Sequence, residues 1–316
     1  MIIPIGITAK NESKNLPVLI ASLKESVDFA TTQLGIQFEV HALLNDNSDD
    51  SEVFLNTVPF INVWHTTGGL VEAQRFLKKM KPEASFLIFS DADLIIEKDC
   101  ITEICKSMIE NNNLQVAYSE KYPLQPKRKS PLARALYLYN LNNGYQNRRQ
   151  YLNGQLFAIR NWSIPEKTSL IWNAEDNDNF LNLEAGIRCD DIFISRDLLK
   201  RYGPESIFCT QTAIWYRPPE TLQGMYRKYQ RMKLEIERLN YFFPETVKTH
   251  QNFGRRRLQK KLILNRPISE ISYYMLFLIG LYLCKAGYEL EKFYYRYLSK
   301  QYCPTWKPVV ETKDLT

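Results

Sequence analysis

At 316 residues and 45% hydrophobic content, the chain can bury one generous core and sits at the upper edge of a single domain, so a main domain with a C-terminal appendage is expected. Its six cysteines (Cys100, Cys105, Cys189, Cys209, Cys284, Cys303) form no Cys-x-x-Cys pair, which argues against a disulfide framework or a zinc site and fits reduced thiols in a cytoplasmic compartment. The net charge of +6 is uneven: between Arg217 and Arg266 thirteen Lys/Arg stand against four Glu and no Asp, which implies an anionic partner for the last third, whether phosphates, a lipid surface or nucleic acid.

The chain opens on Met1-Ile2-Ile3-Pro4-Ile5 without a basic segment leading into a long apolar run, so no signal peptide is expected. Ile2 to Thr8 reads as a strand. Leu16, Leu19, Ile20, Leu23 and Val27 then recur at helical spacing, with Asn15 as N-cap and Pro17 in the first turn. Phe38 to Leu44 is the second strand and Asn62 to His65 a short third, followed by Gly68-Gly69 and a helix carrying Leu70, Ala73, Leu77 and Met80. Phe86 to Phe89 is continuously apolar, as in a strand covered on both faces, and Ile101 to Ile109 mark the next helix. This alternation predicts a parallel sheet flanked by helices. After Gln115 the pattern weakens, with strand-like pieces at Gln115 to Tyr118, Gln155 to Ile159 and Ile207 to Trp215. Pro218-Pro219 precedes a basic helix from about Thr221 to Asn240. Basic clusters at Arg255-Arg256-Arg257 and Lys260-Lys261 and an uncharged run from Ile271 to Cys284 follow.

Three strand ends carry polar groups. Asp91-Ala92-Asp93 follows the apolar fourth strand, at the carboxyl edge where open α/β sheets bind ligands. Its two carboxylates can bracket one hard cation, which takes oxygen ligands and shares them with phosphates. A lone Asp-x-Asp is commonly a solvated turn; the position after a buried strand favours the site. Thr8-Ala9-Lys10-Asn11-Glu12 ends the first strand, and Asn45-Asp46-Asn47-Ser48-Asp49-Asp50 ends the second.

In this order, Ile-Thr-Ala-Lys-Asn-Glu, Leu-Leu-Asn-Asp-Asn-Ser-Asp-Asp, Gly68-Gly69 and Phe-Ser-Asp-Ala-Asp resemble the GT-A-fold family 2 glycosyltransferases, over roughly Ile2 to Gly203. The resemblance implies an α/β fold with a Rossmann-like, mostly parallel central sheet flanked by helices. Residues 1–216 would form the catalytic domain, with a nucleotide-binding half at 1–114 and an acceptor half at 115–216. Residues 217–316 would form a basic and apolar helical extension. It implies donor contacts from Ala9, Asn11, Glu12, Asp46, Gly69, Arg75, Asp91 and Arg231, and Mn²⁺ or Mg²⁺ held by Asp91 and Asp93, with Asp93 the more direct ligand. Asn45 departs from the family, which often has another aspartate there. Cys189-Asp190-Asp191 resembles the family's Glu-Asp pair, with Asp191 as the base and Asp190 its neighbour. Two adjacent carboxylates in a cleft can raise one pKa toward a useful value, although acids at a helix N-terminus also suit the dipole. Tyr151-Leu152-Asn153-Gly154-Gln155-Leu156 resembles the acceptor-side strand, where Gly154 admits either a close approach of substrate or an ordinary bend. Tyr229-Gln230-Arg231-Met232-Lys233-Leu234 matches the processive members' Gln-x-x-Arg-Trp element only loosely, with Lys233 and Leu234 in place of Arg and Trp, which favours single-sugar transfer.

The expected reaction is therefore inverting transfer of a sugar from a nucleotide-diphosphate donor to a hydroxyl of a glycan or lipid-linked acceptor in envelope glycan synthesis. The alternative is a catalytically silent nucleotide- or lipid-binding scaffold of the same fold. The run from Ile271 to Cys284 is shorter than the roughly twenty residues of a spanning helix. An interfacial placement, burial against the main domain and a true span all remain open. With the basic segment beside it, the expected location is peripheral, on an anionic surface at the cytoplasmic face of a membrane. Nucleic acid is not expected as a partner, since the apolar, aromatic run beside the basic patch suits lipid better.

Overall fold

The computed structural model describes residues 1–142, 150–166, 186–254, 267–298 and 312–315. An eight-stranded sheet organises the chain in the order β3-β2-β1-β4-β7-β6-β8-β5. The strands are β1 (Ile2–Ala9), β2 (Gln37–Asn45), β3 (Ile61–Thr66), β4 (Leu87–Asp91), β5 (Leu94–Ile96), β6 (Val116–Pro123), β7 (Leu156–Ile159) and β8 (Ile207–Tyr216). β1 to β4 pair in parallel, and β6 pairs with β8 in parallel. β7 is antiparallel to both its neighbours, and β5 is antiparallel to β8. The sheet is thus parallel in its first half and mixed in its second.

Helices cover both faces. α1 (Leu16–Leu34) and α4 (Cys100–Glu110) pack Leu16, Leu19, Leu23, Ile101 and Ile104 against Ile3, Ile5 and Ile7. On the other face, α3 (Leu70–Met80) and α6 (Asp190–Tyr202) join Leu43, Leu87, Phe89 and Phe157. Side chains alternate across a strand, so Gly6, lying between Ile5 and Ile7, faces α3. A Cβ at Gly6 would lie 2.6 Å from Leu77 Cδ2, and its absence lets the helix approach the sheet. α1 ends at Gly35, whose φ of 65° places it in the left-handed region while its N–H donates to Thr31 O. Its N-terminus departs from expectation: Asn15 makes no side-chain cap, because its amide is committed to Glu12 and to Leu315.

α2 (Ser51–Leu55) is short, and α5 (Pro131–Asn142) lies where the sequence showed only a weakened pattern. α7 (Leu222–Phe242) begins at the Thr221 cap, whose hydroxyl accepts from Gly224 N at 3.0 Å, as the Pro218-Pro219 boundary predicts. α8 (Ile268–Tyr297) has thirty residues, more than twice the uncharged run, and is long and apolar enough by composition to cross a membrane. The shortness inferred from the run alone is therefore corrected. One face of α8 packs Tyr274, Phe277, Cys284 and Tyr288 against α5 and α7. The other exposes Met275, Ile279, Tyr282, Leu290, Phe293 and Tyr297. The five described cysteines are buried and in no disulfide. The Arg255–Arg257 and Lys260–Lys261 clusters lie outside the described residues.

Candidate active site

The carboxyl ends of β1, β2 and β4 lie side by side, with Thr8 opposite both Leu43 and Asp91. The two polar loops beyond them are stitched together. Asn11 N donates to Asn47 Oδ1 at 3.0 Å, and Ser48 N to Asn11 Oδ1 at 2.8 Å. Ser13 N donates to Asp49 Oδ2 at 2.9 Å, and Glu12 N to Ser51 Oγ at 3.1 Å. Asn11 and Asp46 both have positive φ, 55° and 48°, a conformation that non-glycine residues adopt sparingly and that concentrates at functional sites. Lys10 lies 3.6 Å from Asp46. Ala9 is buried at the tip of β1.

Gly68 and Gly69, both with positive φ, lead into α3, and Gly69 N donates to Asn45 Oδ1 at 2.9 Å. Asn45, the departure from the family pattern, thus holds the start of α3. Arg75 is less well placed for a ligand. Its guanidinium donates to Glu72 Oε2 and to the carbonyls of Ile164 and Pro165 at 2.9–3.2 Å, and lies over the Trp162 ring. These bonds give it a local structural task.

The turn at 153–155 joins the two acidic pairs. Asp91 N donates to Gln155 O at 2.8 Å, and a Cβ on Gly154 would lie 2.7 Å from Asp191 Cβ. The close approach that Gly154 permits is therefore that of the Asp191 side chain. Asp190 is buried and accepts from Gln74 Nε2 at 2.6 Å, while Gln74 Oε1 accepts from Trp162 Nε1 at 3.0 Å. Asp191 is half-buried, accepts from Ile192 N at 2.8 Å at the start of α6, and lines a cavity of about 410 Å³. Ser195 ties this start to the turn, donating to Asp191 O and accepting from Leu152 N. Glu235 on α7 accepts the N–H groups of Arg188 and Cys189 and pairs with Arg238 at 2.7 Å, fixing the approach to α6.

Electrostatically the four aspartates form one patch. Burial first, then the charges of Asp93, Asp190 and Asp191, holds Asp91 well above the usual carboxylate range, and Lys121 opposes this. Burial also raises Asp93, against the charges of Lys121, Lys228 and Arg231. Asp190 is pushed up to about 7 by burial and by Asp191. Arg231, expected near the donor, is thus within electrostatic reach of Asp93. A patch of oxygen donors whose mutual repulsion resists ionisation fits a hard divalent cation, which would remove that penalty. A different trio, Glu97, Asp99 and Cys100, also has ligand atoms within 4.8 Å of one another. There Glu97 accepts from Ala213 N, and burial pushes Cys100 up to about 11, so this cluster serves the β5–α4 turn.

Gln74, Lys121, Asn153 and Lys228 were not singled out from the sequence. Gln74 carried a faint signal as a polar residue beside the apolar stripe of α3; the others follow only from how β6, β7 and α7 meet.

The family model for "Glycosyl transferase family 2" matches residues 5–202. No curated protein sequence matches the chain significantly. Among solved structures, S. aureus TarS bound to UDP-GlcNAc is similar at 15% identity with a TM-score of 0.46, covering 97% of this chain and 95% of that one. The UDP complex of TarS shows 16% identity and a TM-score of 0.46 over 85% and 77% of the chains. Mannosyl-3-phosphoglycerate synthase from Rubrobacter xylanophilus shows 12% identity and a TM-score of 0.46 over 82% and 77%.

Proposed function

The chain belongs to glycosyl transferase family 2, and from that premise we propose that it transfers a sugar from a nucleotide-diphosphate donor to an acceptor hydroxyl with inversion at the anomeric carbon. The observation that carries this reading is the meeting of Asp91/Asp93 with Asp190/Asp191 around the turn at 153–155. In this reading Asn11, Asp46 and the Gly69 backbone line the donor end, and Glu12, 4% exposed and held by Asn15 and Lys313, supports their loop from beneath. Asp93, with Asp91, would hold Mn²⁺ or Mg²⁺, which when bound offsets charge on the diphosphate. Residues 1–216 form the catalytic domain in this reading, and residues 217–316 the extension.

Asp191 is the base. The acceptor oxygen bonds to the anomeric carbon and its proton passes to the Asp191 carboxylate. The anomeric C–O bond to the diphosphate breaks, and its electron pair leaves with the nucleoside diphosphate. Burial of Asp190 and exposure of Asp191 to the cavity favour this division of roles. Asp190 acts through position, held by Gln74. Arg75 we move from the donor-binding set to a supporting task, given its committed guanidinium.

In this reading the acceptor is a glycan or lipid-linked molecule of envelope glycan synthesis and the enzyme works at the cytoplasmic face of a membrane, a placement that the exposed apolar face of α8 supports. The test is a thermal-shift screen of nucleotide sugars with and without Mn²⁺, followed by transfer assays. Asp93→Ala should lower kcat at least a hundredfold while the variant still folds. Full turnover by this variant would remove the proposed metal site.

A further inference from the structure

The cavity beside Asp191 is longer than the reacting centre needs. Along one side it follows α7 from Lys228 through Met232, Lys233 and Ile236 to Asn240. At 1.5 Å per residue this is about 18 Å. Lys228 stands at the end that faces Asp93, where its charge opposes the rise of that carboxyl. Lys233 sits about 7 Å further along the axis. His250 and Gln251 contribute to the far wall, and Tyr151 bonds His250 Nδ1 at 2.9 Å. Gly154 and Gly254 make room for this wall: a Cβ on Gly254 would overlap the His250 ring.

The lining is cationic. Lys121, Lys228 and Lys233 all contribute, and among the described lining residues Asp191 is the one carboxylate. One deeper observation points the same way. Asn153, 5% exposed and in the wall, has an Nδ2 donor without a hydrogen-bond partner. Arg196, behind the Asn240 end and 1% exposed, is already answered: its Nη1 donates to Asn240 Oδ1 at 2.9 Å, and the side chains of Tyr151 and Glu235 favour its charge. An unpaired buried donor seeks an acceptor oxygen. Lys121 and Lys228 also face Asp93, whereas Lys233 lies further along the cavity. A phosphate oxygen accepts from Asn153 Nδ2 and brings the negative charge that Lys233 attracts.

We infer that the acceptor carries an anionic phosphate close to its reacting hydroxyl, and that Lys233, with Lys121, Lys228 and Asn153, seats that phosphate in the cavity while the hydroxyl meets Asp191. This rests on the proposed glycosyl transfer. The phosphate belongs either to a soluble phosphate ester or to a lipid headgroup, and the two sources need separate arms.

The experiment uses the full chain and the nucleotide sugar that the thermal-shift screen selects, and compares matched acceptors. Glycerol 3-phosphate is set against glycerol in solution, and vesicles containing phosphatidylglycerol against vesicles containing diacylglycerol. Phosphate-bearing members should be used with kcat/KM at least tenfold higher than their neutral twins, in whichever arm holds the natural source. Lys233→Gln should raise KM for the phosphate acceptor about tenfold more than KM for the donor, with Lys233→Arg recovering most of the difference. Equal use of neutral twins in both arms, or a Lys233→Gln effect confined to donor KM, overturns the inference. Donor hydrolysis without a phosphate preference defeats this inference alone; absence of any donor turnover defeats the transferase reading and this one with it.

Discussion

At the scale of single residues, the site is governed by carboxylates that the fold makes reluctant to ionise. Asp190 has an ordinary pKa of 3.8 and is pushed up to about 7, so between these values the folded chain holds a proton that the unfolded chain has lost. Its contribution to stability is therefore greatest below about pH 4 and declines as pH rises toward 7. At about 1.4 kcal/mol per unit, the decline is a few kcal/mol. Asp190→Asn should flatten that part of a Tm-against-pH curve and raise Tm above pH 7. Mn²⁺ should raise Tm of the natural chain more at pH 8 than at pH 5, since ligating carboxylates must be deprotonated. Gly154→Ala tests the neighbouring contact: with its Cβ 2.7 Å from Asp191 Cβ, one of the two must move. We expect kcat to fall ten- to a hundredfold with donor affinity within threefold of the parent, measured by steady-state kinetics. Asp91 and Asp93 were readable because a D-x-D behind four apolar residues has a location as well as a composition. The Trp162–Gln74–Asp190 chain was not, since its members are 28 to 116 positions apart and no local period links them.

At the scale of elements, α8 shows how charge can conceal a helix. Reading stopped at Lys285, because Glu289, Glu291 and Lys292 follow. Glu291 accepts from Tyr226 and from Gln230, and Lys292 bonds Glu237 at 2.9 Å, so these charges fasten the helix to α7. Tyr288 adds a bond to the same Glu237 at 3.0 Å. The two faces make separable predictions. Phe277, 5% exposed and stacked on Tyr139 at 3.6 Å between ring centroids, is part of the core. Phe277→Ala should cost about 3–5 kcal/mol in denaturant unfolding. Phe293, 71% exposed, contributes little to that core; Phe293→Asp should leave unfolding nearly unchanged and reduce pelleting with anionic vesicles severalfold. Unaltered pelleting would remove the exposed face from the membrane argument.

Over the whole molecule, legibility follows the range of the contacts. The first half of the sheet was readable because parallel strands buried on both faces appear as apolar runs with helices between them. In the second half the strand pieces at Gln115 to Tyr118, Gln155 to Ile159 and Ile207 to Trp215 were readable but their order was not, because β7 inserts antiparallel between β4 and β6 and strand order there is set by partners distant in sequence. The same holds for residues 312–315. Lys313 pairs with Glu12 and donates to Lys10 O at 3.3 Å; Leu315 N donates to Asn15 Oδ1 at 2.9 Å. Arg217 holds the carbonyls of Asp314 and Leu315, and Lys127 pairs with Asp314 at 2.7 Å. Lys313→Met should destabilise the fold by on the order of 2 kcal/mol, because Glu12, 4% exposed, loses its cation. Adding Glu12→Gln should recover part of that loss, a coupling that a double-mutant cycle measures.

The loop that begins at Lys10 has partners about three hundred positions later in the chain. A growing chain can complete the sheet beneath this loop, whose last strand ends at Tyr216, well before those partners exist. The order of that loop is then tied to a segment that lies beyond α8 in the chain and returns across the molecule to reach it.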